Sequence, residues 1–286
     1  LRRLTKMDII LNIIKSVIFG IVQGVTEFLP ISSTGHLILL QTFMPLNVFA
    51  DPAKNKAFWD VYKVVIQFGS ILSVLLLYWK RLCPLGKNVS EPKKKNIYHT
   101  WLMVVVASIP LVVGMLLNDW IDNVMSAPYV IGITLILYGI LFIWMENRKK
   151  KYTIEHVSQI TPKKAFGVGM FQILALVPGT SRSGSTIFGA TLLGFNRSTA
   201  AEFSFFMAIP AMFGASLLKI LKADFSFGFW PLMILLIGTV VSFIVSIIAI
   251  RTLMNYIRKN DFKAFGVYRI ILGIIVLILC ITRLIA

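Results

Sequence analysis

Charge is scarce in this chain: 14% of its 286 residues are charged, against 57% hydrophobic, and the mean hydropathy is +0.81. That scarcity excludes a soluble protein whose apolar residues alternate with polar ones and leaves a polytopic membrane protein. Acids are scarcer still, 12 against 29 Lys and Arg, for a net charge of +17. In a soluble chain that imbalance would point to nucleic acid. Here the cations gather in short connections between apolar runs, where they set topology beside anionic lipid, so no nucleic-acid partner is expected. Cysteine is nearly absent too: Cys83 falls in a basic connection and Cys280 near the far end of the last apolar run, so no disulfide is expected. Basic Arg2, Arg3 and Lys6 precede an apolar run that Glu27 and Pro30 interrupt. No small-residue cleavage site follows, so removal as a signal peptide is not expected.

What is present is long apolar sequence. Six runs, 61–79, 100–117, 129–145, 200–218, 230–250 and 265–285, are long enough to cross a hydrocarbon layer of roughly 30 Å as helices. Lys80, Arg81, Lys87, Lys93, Lys94 and Lys95 fill one connection, Arg148 to Lys151 with Lys163 and Lys164 another, and Arg251, Arg258, Lys259 and Lys263 a third. The stretch 118–127 has Asp119 and Asp122 and no cation, and 219–229 is nearly neutral. The basic connections are therefore read as cytoplasmic and the others as external.

Crossing parity then requires residues 9–48 to begin and end outside. They are apolar but broken at Pro30 to Gly35, the mark of two half-helices meeting at a non-helical tip, because proline removes a backbone donor and glycine tolerates the bend. The stretch 165–197 repeats the design, broken at Pro178 to Gly184, and begins and ends inside. The expected fold is all-α, with six transmembrane helices plus two re-entrant helical hairpins in an inverted-topology repeat, about 7–146 and 163–286, and both termini outside. With an offset of 149, Gln23 falls on Gln172, Ser32 on Ser181, Thr34 on Ser183 and Gly35 on Gly184. Such repeats place a site near the midplane, where irregular backbone lines a polar cavity.

The tips carry the ionisable groups, and a charge at membrane depth is a functional-site hypothesis with a partner to be found. Glu27 aligns with Leu176 and Ser33 with Arg182, so one tip offers a carboxylate, hydroxyls and the His36 imidazole while the other offers a guanidinium. Gln23 and Glu27 share a helix face, and Asp8, Asn12, Lys15 and Ser16 continue that stripe as an expected cavity lining. Arg182 suits phosphate bidentately, with Ser181, Ser183, Ser185, Thr186 and the Gly184 backbone beside it, and Ser32, Thr34 and Gly35 opposite. Glu27 can hold a divalent cation or accept a proton, Ser33 can attack phosphorus, and His36 can protonate a leaving oxygen, a set sufficient for phosphoryl transfer. The plainer alternative is an Arg182–Glu27 lock with hydroxyls capping helix ends. Glu202 could serve as a second acid or, in the plainer case, bond a tip backbone.

At Gln23 to His36 and at Pro178 to Gly184 followed by Ser185-Thr186-Ile187, the chain resembles the undecaprenyl-diphosphatase family, the bacitracin-resistance integral membrane phosphatases. The likeness covers nearly the whole chain. It implies removal of the terminal phosphate from a C55 polyprenyl diphosphate, recycling the carrier for cell-wall synthesis, in a multi-pass protein of the bacterial cell membrane whose site faces outward. Its partners would be the lipid substrate and membrane lipid, with room for a homodimer, and its cofactor a divalent cation, Mg2+ or Ca2+. Glu27 and Arg182 match essential family positions, Ser33 the favoured nucleophile or phosphate ligand, and His36 a disputed participant. Where many members have glutamate, this chain has Gln23, so any metal site of Glu27 with Gln23 has only one carboxylate. Likeness to the lipid phosphatases with Pro-Ser-Gly-His and Ser-Arg motifs is partial, because their downstream His and Asp are missing. A transporter or flippase of a lipid phosphate or other anion is the competing class, since inverted repeats also build alternating access. Ser33 and His36 beside Glu27, absent from the second repeat, favour the enzyme, and a non-catalytic lipid-binding scaffold leaves both tips without a role.

Overall fold

Proline, capping hydroxyls and glycine punctuate an otherwise helical chain. The computed structural model describes residues 5–85, 89–125, 127–148, 151–222 and 227–285, without the side chains at 118, 119, 122, 215 and 218–222. Arg2, Arg3, Lys87, Lys149 and Lys150 of the charge pattern, with the side chains of Asp119 and Asp122, lie outside these limits. Helix α1 (Lys6–Thr26) opens on a reciprocal cap in which Thr5 and Asp8 satisfy each other's backbone donors. It ends at Glu27, where Pro30 forbids continuation, and α2 (Ser33–Phe43) starts beyond the break. Helix α3 (Pro52–Leu77) follows an Asp51 cap, α4 (Trp79–Leu82) is one turn, and α5 (Glu91–Gly114) tightens into a 3-10 turn at Met115–Leu117. Then come α6 (Asn118–Met125) and α7 (Pro128–Asn147).

The second half begins with α8 (Pro162–Ile173) and α9 (Arg182–Leu192), separated by the break at Pro178 and Gly179. It continues through α10 (Arg197–Lys222), α11 (Phe229–Lys259) and α12 (Lys263–Ile281). Six helices among the described residues are long and apolar enough to cross a membrane: α1, α3, α5 with its 3-10 turn, α7, α11 and α12. Helix α1, expected as the first arm of a re-entrant hairpin, is at 21 residues longer than a half-helix and meets the length and composition of a span. The expected span 200–218 lies within α10, a helix of 26 residues.

Most of the main packing pairs correspond between halves, α9 on α10 being an exception without an equally close α2–α3 pair. Helix α1 lies along α11 and α8 along α5; α3 packs on α11 and α10 on α5; α1 pairs with α2 and α8 with α9; α7 meets α12 and α3 meets α10. Small residues allow these approaches, as is usual where lipid removes the hydrophobic drive between helices. Thus a Cβ on Gly20 would stand 2.6 Å from the Gly238 carbonyl oxygen, and one on Gly69 2.6 Å from that of Thr239. Hydroxyls tie the same helices: Ser16 Oγ donates to the Ile234 carbonyl at 2.6 Å, and Ser70 and Ser242 share a 2.6 Å bond.

The polar stripe of α1 is used differently from the cavity lining expected. Asn12 Nδ2 donates to the Asn47 carbonyl at 2.9 Å, Lys15 Nζ donates to that of Pro45 at 2.6 Å, and Ser16 bonds the Tyr62 hydroxyl at 2.8 Å. These side chains fasten α1 to the connection after α2 and to α3, because buried polar groups must be paired before they can do anything else. At the opposite end, Glu146 holds Arg197 through two oxygens at 3.1 and 2.7 Å, joining the end of α7 to the start of α10. Cys83 and Cys280 are both free.

Gly20→Ala should destabilise the purified protein by about 1–3 kcal/mol through overpacking against α11. Gly214→Ala, whose Cβ meets nothing within 4 Å, should leave the melting temperature unchanged or raised. Thermal unfolding in detergent checks the pair.

Candidate active site

Both breaks use one local device. Ser32 and Ser181, the residues related by the 149 offset, are non-glycine residues at positive φ, 72° and 71°. Each then caps the next helix, Ser32 Oγ accepting from Gly35 N at 3.4 Å and Ser181 Oγ accepting from Gly184 N at 3.1 Å. Left-handed backbone at a β-carbon-bearing residue is costly and persists only where its surroundings enforce it.

Arg269 of α12 is the main enforcer. This guanidinium, entirely buried, donates from Nη1 to the Pro30 carbonyl at 3.1 Å and from Nη2 to the carbonyls of Gly179 and Thr180 at 3.0 and 2.9 Å. It therefore joins the two tips, and its carbon Cζ lies 5.3 Å from the Tyr138 ring centroid as a cation–π contact. Ser183 adds a second tie, its Oγ within 3.2 Å of the Glu27 carbonyl and 3.1 Å of the Leu29 carbonyl.

With the tips joined, Glu27 and Arg182 face each other. Glu27 Oε2 accepts from Gln23 Nε2 and from Ser33 Oγ, both at 2.9 Å, while Arg182 Nη2 stands 3.6 Å from Oε1. That last separation is an ion pair and too long for a hydrogen bond. Arg182 Nη1 is anchored on the Ser204 carbonyl at 2.9 Å, whereas Nε and Nη2 are buried without a hydrogen-bond partner. Those two nitrogens form the side-on fork that takes an oxyanion bidentately. Arg182 lines a cavity of about 230 Å³ together with Glu27, Ser33, Thr34, Gln67, Gln172 and Ser181. Two guanidiniums, the largely buried Arg182 and the wholly buried Arg269, stand against one carboxylate at the tips, so the region carries an excess positive charge suited to an anion.

Other expected site residues are engaged elsewhere. Ser32 and Ser183 are committed to the cap and the tie already given, Gly184 supplies the capped N–H, and Thr186 Oγ1 bonds Ser204 Oγ at 2.7 Å. These hydroxyls fill the plainer role of capping and tying. Gly35 packs on α7, where an added Cβ would sit 3.5 Å from Ile131. His36 does not line the Glu27 cavity: its ring nitrogens lie 2.7 Å from the Ser32 carbonyl and 2.6 Å from the Tyr268 hydroxyl, and it borders an apolar groove of about 750 Å³ between α1, α11 and α12. Glu202 pairs with Arg81 and is not brought to the tips. Two residues from Ser204 on α10, it points about 200° around the helix from the face that meets Arg182.

Sequence reasoning missed Arg269, although its signal was plain: an arginine inside an apolar run is held to the same rule that singled out Glu27. Ser204, which accepts from Arg182 through its backbone carbonyl, has no signal in residue type.

Fold and site together define a class, an all-helical multi-pass membrane protein with a polar cavity holding one guanidinium, one carboxylate and a hydroxyl hydrogen-bonded to it. The family described as "Bacitracin resistance protein BacA" matches residues 16–275, and the chain belongs to that family. It is 51% identical over 269 residues to undecaprenyl-diphosphatase 1 of Clostridioides difficile (strain 630), covering 94% of this chain and 96% of that protein. The undecaprenyl-diphosphatase of Desulfitobacterium hafniense is 50% identical over 273 residues, covering 94% and 96%. That of Enterococcus faecalis is 47% identical over 274 residues, covering 94% and 97%.

Arg269→Leu should unfold the tips, costing at least about 3 kcal/mol, because a charged donor to three buried carbonyls disappears. Arg269→Lys should restore only part of that stability, since one ammonium cannot reproduce the planar fork. Equilibrium unfolding of the two variants measures the difference.

Proposed function

We propose that this protein hydrolyses undecaprenyl diphosphate to undecaprenyl phosphate and inorganic phosphate in the bacterial cell membrane, recycling the lipid carrier and conferring bacitracin resistance. The observation that carries the reading is the Ser33 hydroxyl donating to Glu27 at 2.9 Å beside Arg182, whose Nε and Nη2 have no hydrogen-bond partner, in a chain about half identical to undecaprenyl-diphosphatases. The names of those relatives favour an enzyme over a carrier.

In this reading the terminal phosphoryl group sits against Nε and Nη2 of Arg182, which stabilise charge on its equatorial oxygens. Ser33 Oγ attacks the phosphorus while Glu27 takes its proton, and the bond to the bridging oxygen breaks. Undecaprenyl phosphate departs with that oxygen and the proton. Water then attacks the phosphoserine, Glu27 again accepting a proton, and inorganic phosphate leaves with Ser33 restored. Of the expected pair, Glu27 lines the cavity and would be the residue to hold a divalent cation, whereas Gln23 turns its amide Nε2 to Glu27 and does not line the cavity, and no group of three His, Cys, Asp or Glu side chains gathers among the described residues. A cation so held would neutralise the diphosphate. His36, bonded to Tyr268 at the apolar groove, is placed to orient the substrate beside the tip rather than to act on phosphorus.

Several features support an inverted repeat of about 7–146 and 163–286 with re-entrant tips. The tips share positive-φ serines 149 residues apart, they touch through Ser183 and Arg269, and the helix pairs of one half have counterparts in the other. The positive-inside pattern then puts the Lys80 and Lys93 connection in the cytoplasm, and the termini and the site opening outside.

Phosphate release from farnesyl diphosphate by the purified protein tests the activity. Glu27→Gln and Arg182→Ala should each lose about a hundredfold or more, His36→Ala about tenfold at most, and a chelator should suppress turnover until Mg2+ or Ca2+ is restored. Wild type that releases no phosphate ends the enzyme reading, and near-normal turnover by Ser33→Ala would replace the serine with a water activated by Glu27.

Orientation has its own check. In a chain with Cys83 and Cys280 replaced by serine, an impermeant thiol reagent applied to whole cells should label Lys54→Cys and spare Lys93→Cys; the opposite pattern inverts the topology.

A further inference from the structure

Gln172 is a wholly buried amide that uses neither of its polar ends. It is 0% exposed, yet neither Nε2 nor Oε1 has a hydrogen-bond partner, and its side chain lines the cavity of Glu27, Ser33 and Arg182. A buried amide left unpaired in an apolar surrounding is costly, and such groups are rare enough to require an explanation.

The repeat supplies the explanation. Gln23, the corresponding residue, donates to Glu27 one helical turn further on, at 2.9 Å. Four residues after Gln172 stands Leu176, which has nothing to accept. Substitution of the acid at this point of the second hairpin leaves the amide without the partner its counterpart keeps. Gln172 lines the same cavity as Arg182, whose Nε and Nη2 are likewise buried without a hydrogen-bond partner. Two residues that line one small space thus hold three unpaired nitrogen donors, two on a guanidinium and one neutral.

We infer that Gln172 is a ligand of the phosphoryl group, Nε2 donating to a non-bridging phosphate oxygen alongside the Arg182 fork. The inference rests on the proposed reading of the cavity as a diphosphate site. A neutral donor suits this position because it adds a hydrogen bond to the anion without a third buried cation beside Arg182 and Arg269. The same geometry makes glutamate, identical in shape, the least tolerated replacement, since it turns a donor into a like charge facing phosphate.

The test uses the full-length protein in detergent with inorganic phosphate as the probe, followed by thermal unfolding, and farnesyl diphosphate turnover in parallel. Gln172→Leu should unfold at the same temperature as wild type or higher without phosphate, because an unpaired amide is gone. It should need about tenfold more phosphate for the same stabilisation and show a KM raised by about tenfold, the scale of one hydrogen bond to a charged group. Gln172→Glu should bind phosphate more weakly than Gln172→Leu. A Gln172→Leu protein that unfolds earlier without phosphate makes Gln172 structural and overturns the inference, as does equal stabilisation of wild type and variant by phosphate, or no stabilisation of wild type. If wild type fails to hydrolyse farnesyl diphosphate while phosphate still stabilises it through Gln172, the enzyme reading falls and the ligand assignment stands. If hydrolysis is intact and Gln172→Leu behaves as wild type, the ligand assignment alone falls.

Discussion

The site depends on one buried guanidinium that has no carboxylate of its own. Arg269 binds the carbonyls of Pro30, Gly179 and Thr180 from a single side chain, and these belong to the two places where the chain leaves helical geometry. In a hydrocarbon surrounding, backbone released from a helix has no water to bond, so irregular segments persist only where protein groups satisfy them. A planar donor fork placed between the tips meets that demand on both sides. It also fixes their separation, and with it the 3.6 Å approach of Arg182 to Glu27.

The same residue biases the electrostatics. Carbonyl dipoles and the Tyr138 ring solvate the charge of Arg269 without cancelling it, and at low dielectric an uncancelled charge is felt over the whole cavity. Glu27 offsets one guanidinium and cannot offset two. An arrangement left one charge short is poorly suited to a simple structural lock, which would be more stable with matched charges or with apolar packing. It is well suited to an anion that enters and leaves.

The sequence made some of this legible, for physical reasons particular to each residue. Glu27, Pro30, Arg182 and Gly184 stood out because each is unfavourable in an apolar helix, and all four belong to the joined tips. The helical segments followed from apolar run length, though α1 was underrated because Glu27 and Pro30 draw attention to its end and away from its 21-residue length. The stripe Asn12, Lys15 and Ser16 was correctly placed on one face, but spacing says which residues share a face and nothing about what that face meets. Residue type likewise cannot separate a hydroxyl that caps from one that binds: Ser32, Ser183 and Thr186 cap or tie, while Ser33 donates to the Glu27 carboxylate. Arg269 was hidden by averaging, since a single cation barely lowers the mean hydropathy of the run 265–285.

Matched backbone with unmatched side chains is the pattern that remains. Ser32 and Ser181 adopt the same strained φ, and each accepts from the glycine N–H three residues on. Such agreement is most simply kept when both halves must present a tip of the same shape to the other. No corresponding constraint acts on the residues that face the cavity. Glu27 faced by a second glutamate would place two carboxylates together in an apolar setting, and Arg182 faced by a second arginine would repel its neighbour with no anion present. A symmetric pair of tips is therefore electrostatically unfavourable at the point where they meet. Divergence to an acid and a hydroxyl on one tip and a cation on the other relieves that repulsion, and the relieved arrangement brings a carboxylate, a hydroxyl bonded to it and a guanidinium to one cavity.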